Sequence, residues 1–204
     1  MTLTLPIQDT PINSNIVVQD NFMPDDYCDY LIHEMTGEGT YFPWHWGQIL
    51  SKDATCSDFR NWQFGHVFWL FGRENSAYCH LIQPIIDQIN PEVLYSVKTN
   101  LTPWDQTQVV HGFHTDVTNF SGLTSVYYTD TNNGATVFRT TNEDGTDSVT
   151  EIESKRNRLV TFDNRIYHSG KTQNDAKFRI VLNINYFKHS IFYYNQSNQS
   201  NANS

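Results

Sequence analysis

The chain has 204 residues, of which 38% are hydrophobic, 14% aromatic and 17% charged, with a formal net charge of −9. Such a length suits one domain with a sizeable core. The acidic balance offers no cluster of Lys or Arg to meet phosphates, which speaks against a nucleic-acid partner; with no long apolar run and no charged-then-apolar leader, a soluble, cytoplasmic protein is expected, with no membrane partner.

Residues 1–15 are polar, contain Pro6 and Pro11, and read as a loose lead-in. A short β-branched strand is expected around Ile16–Val18. MPDDYCDYLIHEM carries the signals of a helix start, with Pro24 near the first turn and Asp25 and Asp26 set against the helix dipole. Tyr27, Tyr30, Leu31 and Met35 follow at helical spacing. Residues 41–71 are crowded with Trp, Phe and His around a strand, NWQFGHVFWL, and the rings there read first as core packing. A second helix fits ENSAYCHLIQPIIDQI, residues 74–89, with Pro84 kinking it or marking its end.

From residue 93 the pattern changes to short β-branched and aromatic runs separated by turn residues: VLYSVKTNL, LTSVYYTD, TNNGATVF, SVTEIES, RNRLVTF and FRIVLNINYF. NNG at 132–134 and EDG at 143–145 are turns. Strands at this spacing imply an antiparallel sandwich or barrel. The Asn/Ser/Gln tail at 195–204 has nothing apolar to bury and is expected to be disordered. The expected division is one domain over 1–194, with a helical and aromatic part at 16–92 and a β core at 93–190. Cys28, Cys56 and Cys79 are odd in number and share no CxxC spacing, so they read as free thiols in a reducing compartment.

The chemistry concentrates in HGFHTDVTNF, residues 111–120. In an extended strand, residues two apart share a face, so His114 and Asp116 can aim an imidazole and a carboxylate at one point. His111, three residues before His114, would face the other way. A third ligand is sought on another strand, and His168 in FDNRIYHSG, just after the apolar run RLVTF, is the best candidate. Two histidines and one carboxylate leave adjacent positions open and point to non-heme iron(II); zinc would favour a tetrahedral set with one open position. Arg179 then stands within the apolar strand FRIVLNINYF. A buried guanidinium is costly without an anionic partner, and its planar fork matches a carboxylate.

HTD, then His168, then Arg179 on the last core strand resembles the 2-oxoglutarate- and Fe(II)-dependent dioxygenases, and more narrowly their prolyl-4-hydroxylase-like branch. The resemblance covers residues 95–188 through HTD, SVYYTD, NGATVF, NRLVTF, YHSG and FRIVLNINYF in that order, and more weakly the lead-in VVQDNFMPDDYCDYLI. It implies an all-β core with flanking α-helices: a double-stranded β-helix, or cupin-like jelly roll, with the N-terminal helices packed on one sheet. It implies that His114, Asp116 and His168 bind iron, and that Arg179 binds the distal carboxylate of 2-oxoglutarate with the Tyr128 hydroxyl beside it. Dioxygen is the second cosubstrate and ascorbate a candidate further cofactor. Two departures stand out. Relatives often carry Ser or Thr two residues after the basic residue, where this chain has Val181, leaving Asn183 to supply a hydrogen bond to the cosubstrate. Relatives also often carry a tyrosine on the strand before HxD, where this chain leaves Asn100 and Trp104 as alternatives.

The reaction implied is hydroxylation of a C–H bond, with a prolyl residue in a protein or peptide as the first candidate substrate and a free small metabolite as the second. Walls for the substrate are expected from residues 41–69, with Trp44, His45, Trp46, Trp62 and Phe64 as flat rings. Two rivals belong to other classes: a non-catalytic jelly-roll binding protein, which has no use for the constellation, and a zinc hydrolase on a cupin-like barrel, which has no use for Arg179 and Tyr128.

Overall fold

A computed structural model describes residues 10–13, 16–49, 60–118, 120–141 and 145–188. The expected tail at 195–204, most of the lead-in, Cys56, His189 and most of the turn at 143–145 lie outside the described residues. The strands in chain order are β1 (Thr10–Asn13), β2 (Ile16–Asp20), β3 (His45–Gly47), β4 (Gln63–Leu70), β5 (Arg73–Glu74), β6 (Val93–Pro103), β7 (Leu123–Tyr128), β8 (Ala135–Thr141), β9 (Asp147–Glu153), β10 (Arg158–Asp163), β11 (Tyr167–Lys171) and β12 (Phe178–Phe187). Two helices, α1 (Asp25–Thr36) and α2 (Gln83–Ile89), precede the main run of strands. No helix among the described residues is long and apolar enough to cross a membrane.

The strands form two antiparallel sheets. The larger has the order β1-β2-β10-β7-β12-β6-β4-β3, with β5 paired to β4, and the smaller has the order β11-β8-β9. In the middle of the larger sheet, from β2 to β4, and between β11 and β8, non-consecutive strands lie side by side, as in a jelly roll. The free edge of β11 is covered by the loop before β7 through single bridges, Val110 to Lys171 and His114 to His168.

Strand alternation divides the buried side chains into two cores. On β12, Ile180, Leu182, Ile184 and Tyr186 face the helices and join Leu31, Met35, Phe68, Ile85, Ile86 and Ile89. The intervening positions of the same strand face the smaller sheet, where Val181 joins Val126, Tyr128, Phe138, Ile152, Val160 and Phe162. β7 is buried along its whole length because it is covered on both faces. The result is a barrel interior that is apolar at one end, between Phe138, Phe162 and Val160, and polar along the inner face of β6 and β12.

The local differences from expectation have simple causes. Thr10–Asn13 belong to an edge strand paired with β2, a place where Pro11 loses no ladder bond it must make. α1 buries Cys28, Leu31 and Met35, while Tyr30 is exposed. Residues 74–89 do not form one helix: a 3₁₀ turn at Cys79–Leu81 comes first, and Pro84 sits in the first turn of α2, where its missing N–H costs nothing. Asn90 closes α2 in the left-handed conformation, at φ 51°. Cys28 and Cys79 are buried free thiols.

Candidate metal centre and the cavity beside it

His114 lies in the loop ahead of β7 and His168 on β11, joined by the single bridge. Each imidazole is oriented by its own backbone: Nδ1 of His114 is 3.2 Å from the Gly112 carbonyl, and Nδ1 of His168 is 3.0 Å from the Ile166 carbonyl. A carbonyl only accepts, so Nδ1 donates in both rings and Nε2 is the atom each ring presents to the centre. They meet the Asp116 carboxylate. His168 Nε2 is 3.2 Å from Oδ2 and His114 Nε2 is 3.9 Å from Oδ1. One donor atom from each of the three residues lies within 4.8 Å of the others. The loop from 111 to 116 is not a strand beyond the His114 bridge, so the convergence comes from the loop's curvature rather than from period-two alternation. For the same reason His111 is not turned away: it borders the same cavity as His114 and His168.

Asp116 is nearly fully buried, with its side chain 3% exposed. Oδ2 accepts from Asn183 Nδ2 at 2.6 Å, and Oδ1 accepts from Lys98 Nζ at 3.1 Å. Asn183 is held in turn, its Oδ1 accepting from Asn185 Nδ2 at 2.7 Å, while Asn185 Oδ1 accepts from Thr124 at 2.7 Å. Burial alone would raise the Asp116 pKa, but Lys98, His168 and Asn183 outweigh it and hold the carboxyl well below the usual carboxylate range. Burial and the neighbouring His168 push His114 below the ordinary histidine value, against the pull of Asp116, which keeps its imidazole neutral. An ionised carboxylate and two imidazoles turned to present Nε2 are the donor set a metal requires.

Arg179 borders the cavity from β12, two register steps from Asn183. It is 5% exposed. Nε donates to Ser154 Oγ at 2.8 Å, an Nη donates to Thr136 Oγ1 at 3.4 Å, and the guanidinium stands 5.5 Å from the centre of the Tyr128 ring. Among the described residues no carboxylate pairs with it. Tyr128 is fully buried and donates its hydroxyl to Thr136 Oγ1 at 2.6 Å. It stands behind Thr136 and Arg179 and does not line the cavity. Gly134 explains how the arginine fits: a Cβ there would lie 2.7 Å from Arg179 Cδ and 2.9 Å from the Lys171 carbonyl.

The structure thus brings His114, Asp116 and His168 together, with Arg179 on the same cavity. Asn183 also borders that cavity, but its amide is committed to Asp116. Of the two alternatives on the strand before HTD, Asn100 lines the cavity; Trp104 lies in a neighbouring one with Trp62 and Arg60, its indole N–H bound to the Asn174 carbonyl at 3.1 Å. From residues 41–69, Gln63 and Ile49 reach the cavity. The expected rings do not: Trp44 packs on the helix-side core, and Trp46 is exposed. His66 is buried between the Pro43 carbonyl and Ser76 Oγ. Sequence reasoning missed Lys98, although the alternation of Lys98 and Asn100 with the buried Val97 and Thr99 places both on the inner face of β6.

No protein-family profile matches the chain, and no curated protein matches it by sequence. Solved structures do resemble it. A prolyl hydroxylase from Trichoplax adhaerens, in complex with a hypoxia inducible factor peptide fragment, has a TM-score of 0.62 at 14% identity, covering 87% of this chain and 85% of that one. A 2OG-Fe(II) oxygenase family oxidoreductase from Burkholderia pseudomallei has a TM-score of 0.61 at 11% identity, covering 88% of each chain. A non-heme α-ketoglutarate-dependent epimerase from nogalamycin biosynthesis has a TM-score of 0.60 at 10% identity, covering 85% of this chain and 78% of that one. The two sheets, their order and these likenesses together establish that the chain has the jelly-roll fold of the 2-oxoglutarate- and iron(II)-dependent oxygenases.

Proposed function

We propose that this protein is an Fe(II)- and 2-oxoglutarate-dependent oxygenase that hydroxylates a C–H bond, with a prolyl residue of a peptide as substrate. One observation carries the reading: a buried guanidinium with no carboxylate partner among the described residues borders the same cavity as a two-histidine, one-aspartate cluster. A dicarboxylate that chelates a metal at one end and meets Arg179 at the other satisfies both. The non-catalytic reading leaves the buried arginine unexplained, and the zinc-hydrolase reading leaves it unused.

The donor set fits iron(II): His114 and His168 would each supply Nε2 and Asp116 a carboxylate oxygen. When bound, iron(II) supplies redox chemistry in which dioxygen and 2-oxoglutarate become succinate and carbon dioxide, with one oxygen atom entering the substrate C–H bond. The chain's residues do the rest. Arg179 binds and orients the distal carboxylate, and Ser154, Thr136 and Tyr128 fix the guanidinium. Asn183 and Lys98 hold Asp116 rather than the cosubstrate. Asn100, Gln63 and Thr102 give the cavity a polar wall where hydrogen bonds can set the cosubstrate's tilt.

The peptide reading draws on the Trichoplax neighbour, which binds a peptide, and on the acidic charge, which disfavours polyanions and nucleic acid. Buried free thiols at Cys28 and Cys79 favour a reducing, cytoplasmic setting. The test offers iron-loaded protein proline-containing peptides, free proline, other small metabolites and methylated single-stranded DNA in parallel, with and without ascorbate. Succinate release stimulated by a peptide that gains one oxygen atom in mass is the expected result. Stimulation by a small metabolite alone would keep the oxygenase and discard the peptide; stimulation by DNA alone would overturn the charge argument.

A further inference from the structure

Lys98 is an odd neighbour for a metal site. It stands on the inner face of β6, in register with Asn183 of β12 and Val67 of β4, and its Nζ lies 3.1 Å from an oxygen of the proposed iron-ligating carboxylate. A full positive charge there repels a divalent cation and weakens its binding. Asn183, which holds the other oxygen of the same carboxylate at 2.6 Å, carries no charge and has no such effect. Asn183 is therefore enough to orient Asp116, and orientation alone does not account for the lysine.

Charge balance does. Without a metal, Asp116 is an ionised carboxylate sealed in the barrel, its side chain 3% exposed. The single amide N–H of Asn183 carries no charge to balance it, and an uncompensated buried charge is strongly destabilising. The Lys98 side chain is 38% exposed. Its flexible stem lets the ammonium reach the carboxylate when the site is empty and move toward solvent when another cation takes its place. We propose that Lys98 is the counter-ion of the empty site, so that metal binding exchanges one cation for another on Asp116. This rests on the ligand set proposed above and goes beyond it. Lys98 stabilises the metal-free barrel and, by the same contact, lowers metal affinity, which makes the metal exchangeable without loss of the fold.

The test is calorimetric titration of metal-stripped protein with Mn(II) or Co(II), paired with thermal melts with and without metal, on wild type, Lys98→Met, Lys98→Gln and Lys98→Arg. Lys98→Met and Lys98→Gln should melt lower without metal, gain more on metal addition, and bind metal about tenfold tighter, the scale of removing one nearby like charge from a partly exposed site. Lys98→Gln keeps a donor for Oδ1, so it remains informative if Lys98→Met fails to fold. Lys98→Arg should restore wild-type affinity. Equal or weaker metal binding by the neutral variants, with wild type binding normally, would overturn the proposal and leave the ligand set standing. Failure of wild type to bind metal would overturn the ligand set, and the proposal with it.

Discussion

His114 and His168 are locked to one another by backbone, each N–H donating to the other's carbonyl at 3.0 Å. The two imidazoles that converge on Asp116 thus inherit their separation from an antiparallel bridge and not from their own packing. Removing either ring leaves the bridge intact. His168→Ala should therefore lose metal binding and turnover while keeping a cooperative thermal melt, since the β11–β8 pairing does not depend on the imidazole. Wild-type metal affinity in that variant would move His111, which borders the same cavity, into the ligand set.

Among the described residues, Arg179 is the only one that brings a guanidinium to the cavity, and Arg179→Ala removes it. Hydrogen bonds to charged groups contribute about 1.5–3 kcal/mol, so the 2-oxoglutarate concentration needed for half-maximal succinate release should rise by about tenfold or more. Arg179→Lys should fall between, because a point charge replaces a fork. Metal affinity in the absence of 2-oxoglutarate should stay near wild type in both. An unchanged cosubstrate requirement would remove Arg179 from the site.

Gly134→Ala tests the packing that admits the arginine. The new Cβ would stand 2.9 Å from the Lys171 backbone carbonyl as well as 2.7 Å from Arg179 Cδ, so rotating one side chain does not relieve it. The expected cost is about 1–3 kcal/mol of stability, read as a lower melting temperature, together with weaker 2-oxoglutarate binding as Arg179 is displaced. A neutral effect on both would mean that β8 and β11 separate easily at this point.

Asp20 gives a pH prediction away from the site. It receives Arg158 Nε at 2.6 Å, Arg158 Nη2 at 3.1 Å and Lys155 Nζ at 2.7 Å, tying β2 to β10. The bonds from Arg158, against partial burial and helped by Lys155, lower its pKa from 3.8 to about 2. The unfolded chain therefore takes up this proton first as pH falls. The stabilisation is fully present above the ordinary value and is lost on the way down to the folded one. Asp20→Asn should cost about 1 kcal/mol at neutral pH, solvent screening included. The gap from wild type should close as pH falls from about 4 to about 2 in denaturant titrations. A gap that stays constant over that range would show that the ion pairs contribute nothing.

Much of this site could be read in the chain because its chemistry is unusual for its setting. A histidine and an aspartate two residues apart, a histidine after an apolar strand, and an arginine inside FRIVLNINYF each violate the expectation for a buried strand, and all border one cavity or stand directly behind it. What could not be read follows from tertiary geometry. Alternation places His111 on the wrong side because a period of two holds only in strands, and residues 111–116 form a loop apart from one bridge. Pro84 suggests a kink or an end in the sequence, because its true place in the first turn of α2 depends on where the 3₁₀ turn ends. Trp44, Trp46 and their neighbours gave no sign of which rings would be core and which exposed. Lys98 lies in a run that reads as an ordinary half-exposed strand: alternation gives its face, but its place beside Asn183 and Asp116 depends on the register of β6 with β12.

Succinate formation from 2-oxoglutarate in air, by metal-stripped protein reloaded with iron(II) or with zinc(II), tests the central claim most directly. Succinate with iron(II), none with zinc(II), and none from iron(II)-treated His168→Ala is the result predicted. No succinate from the iron(II)-loaded wild type, with metal binding verified and substrates supplied, would contradict the assignment of this cavity to 2-oxoglutarate-dependent oxygenase chemistry.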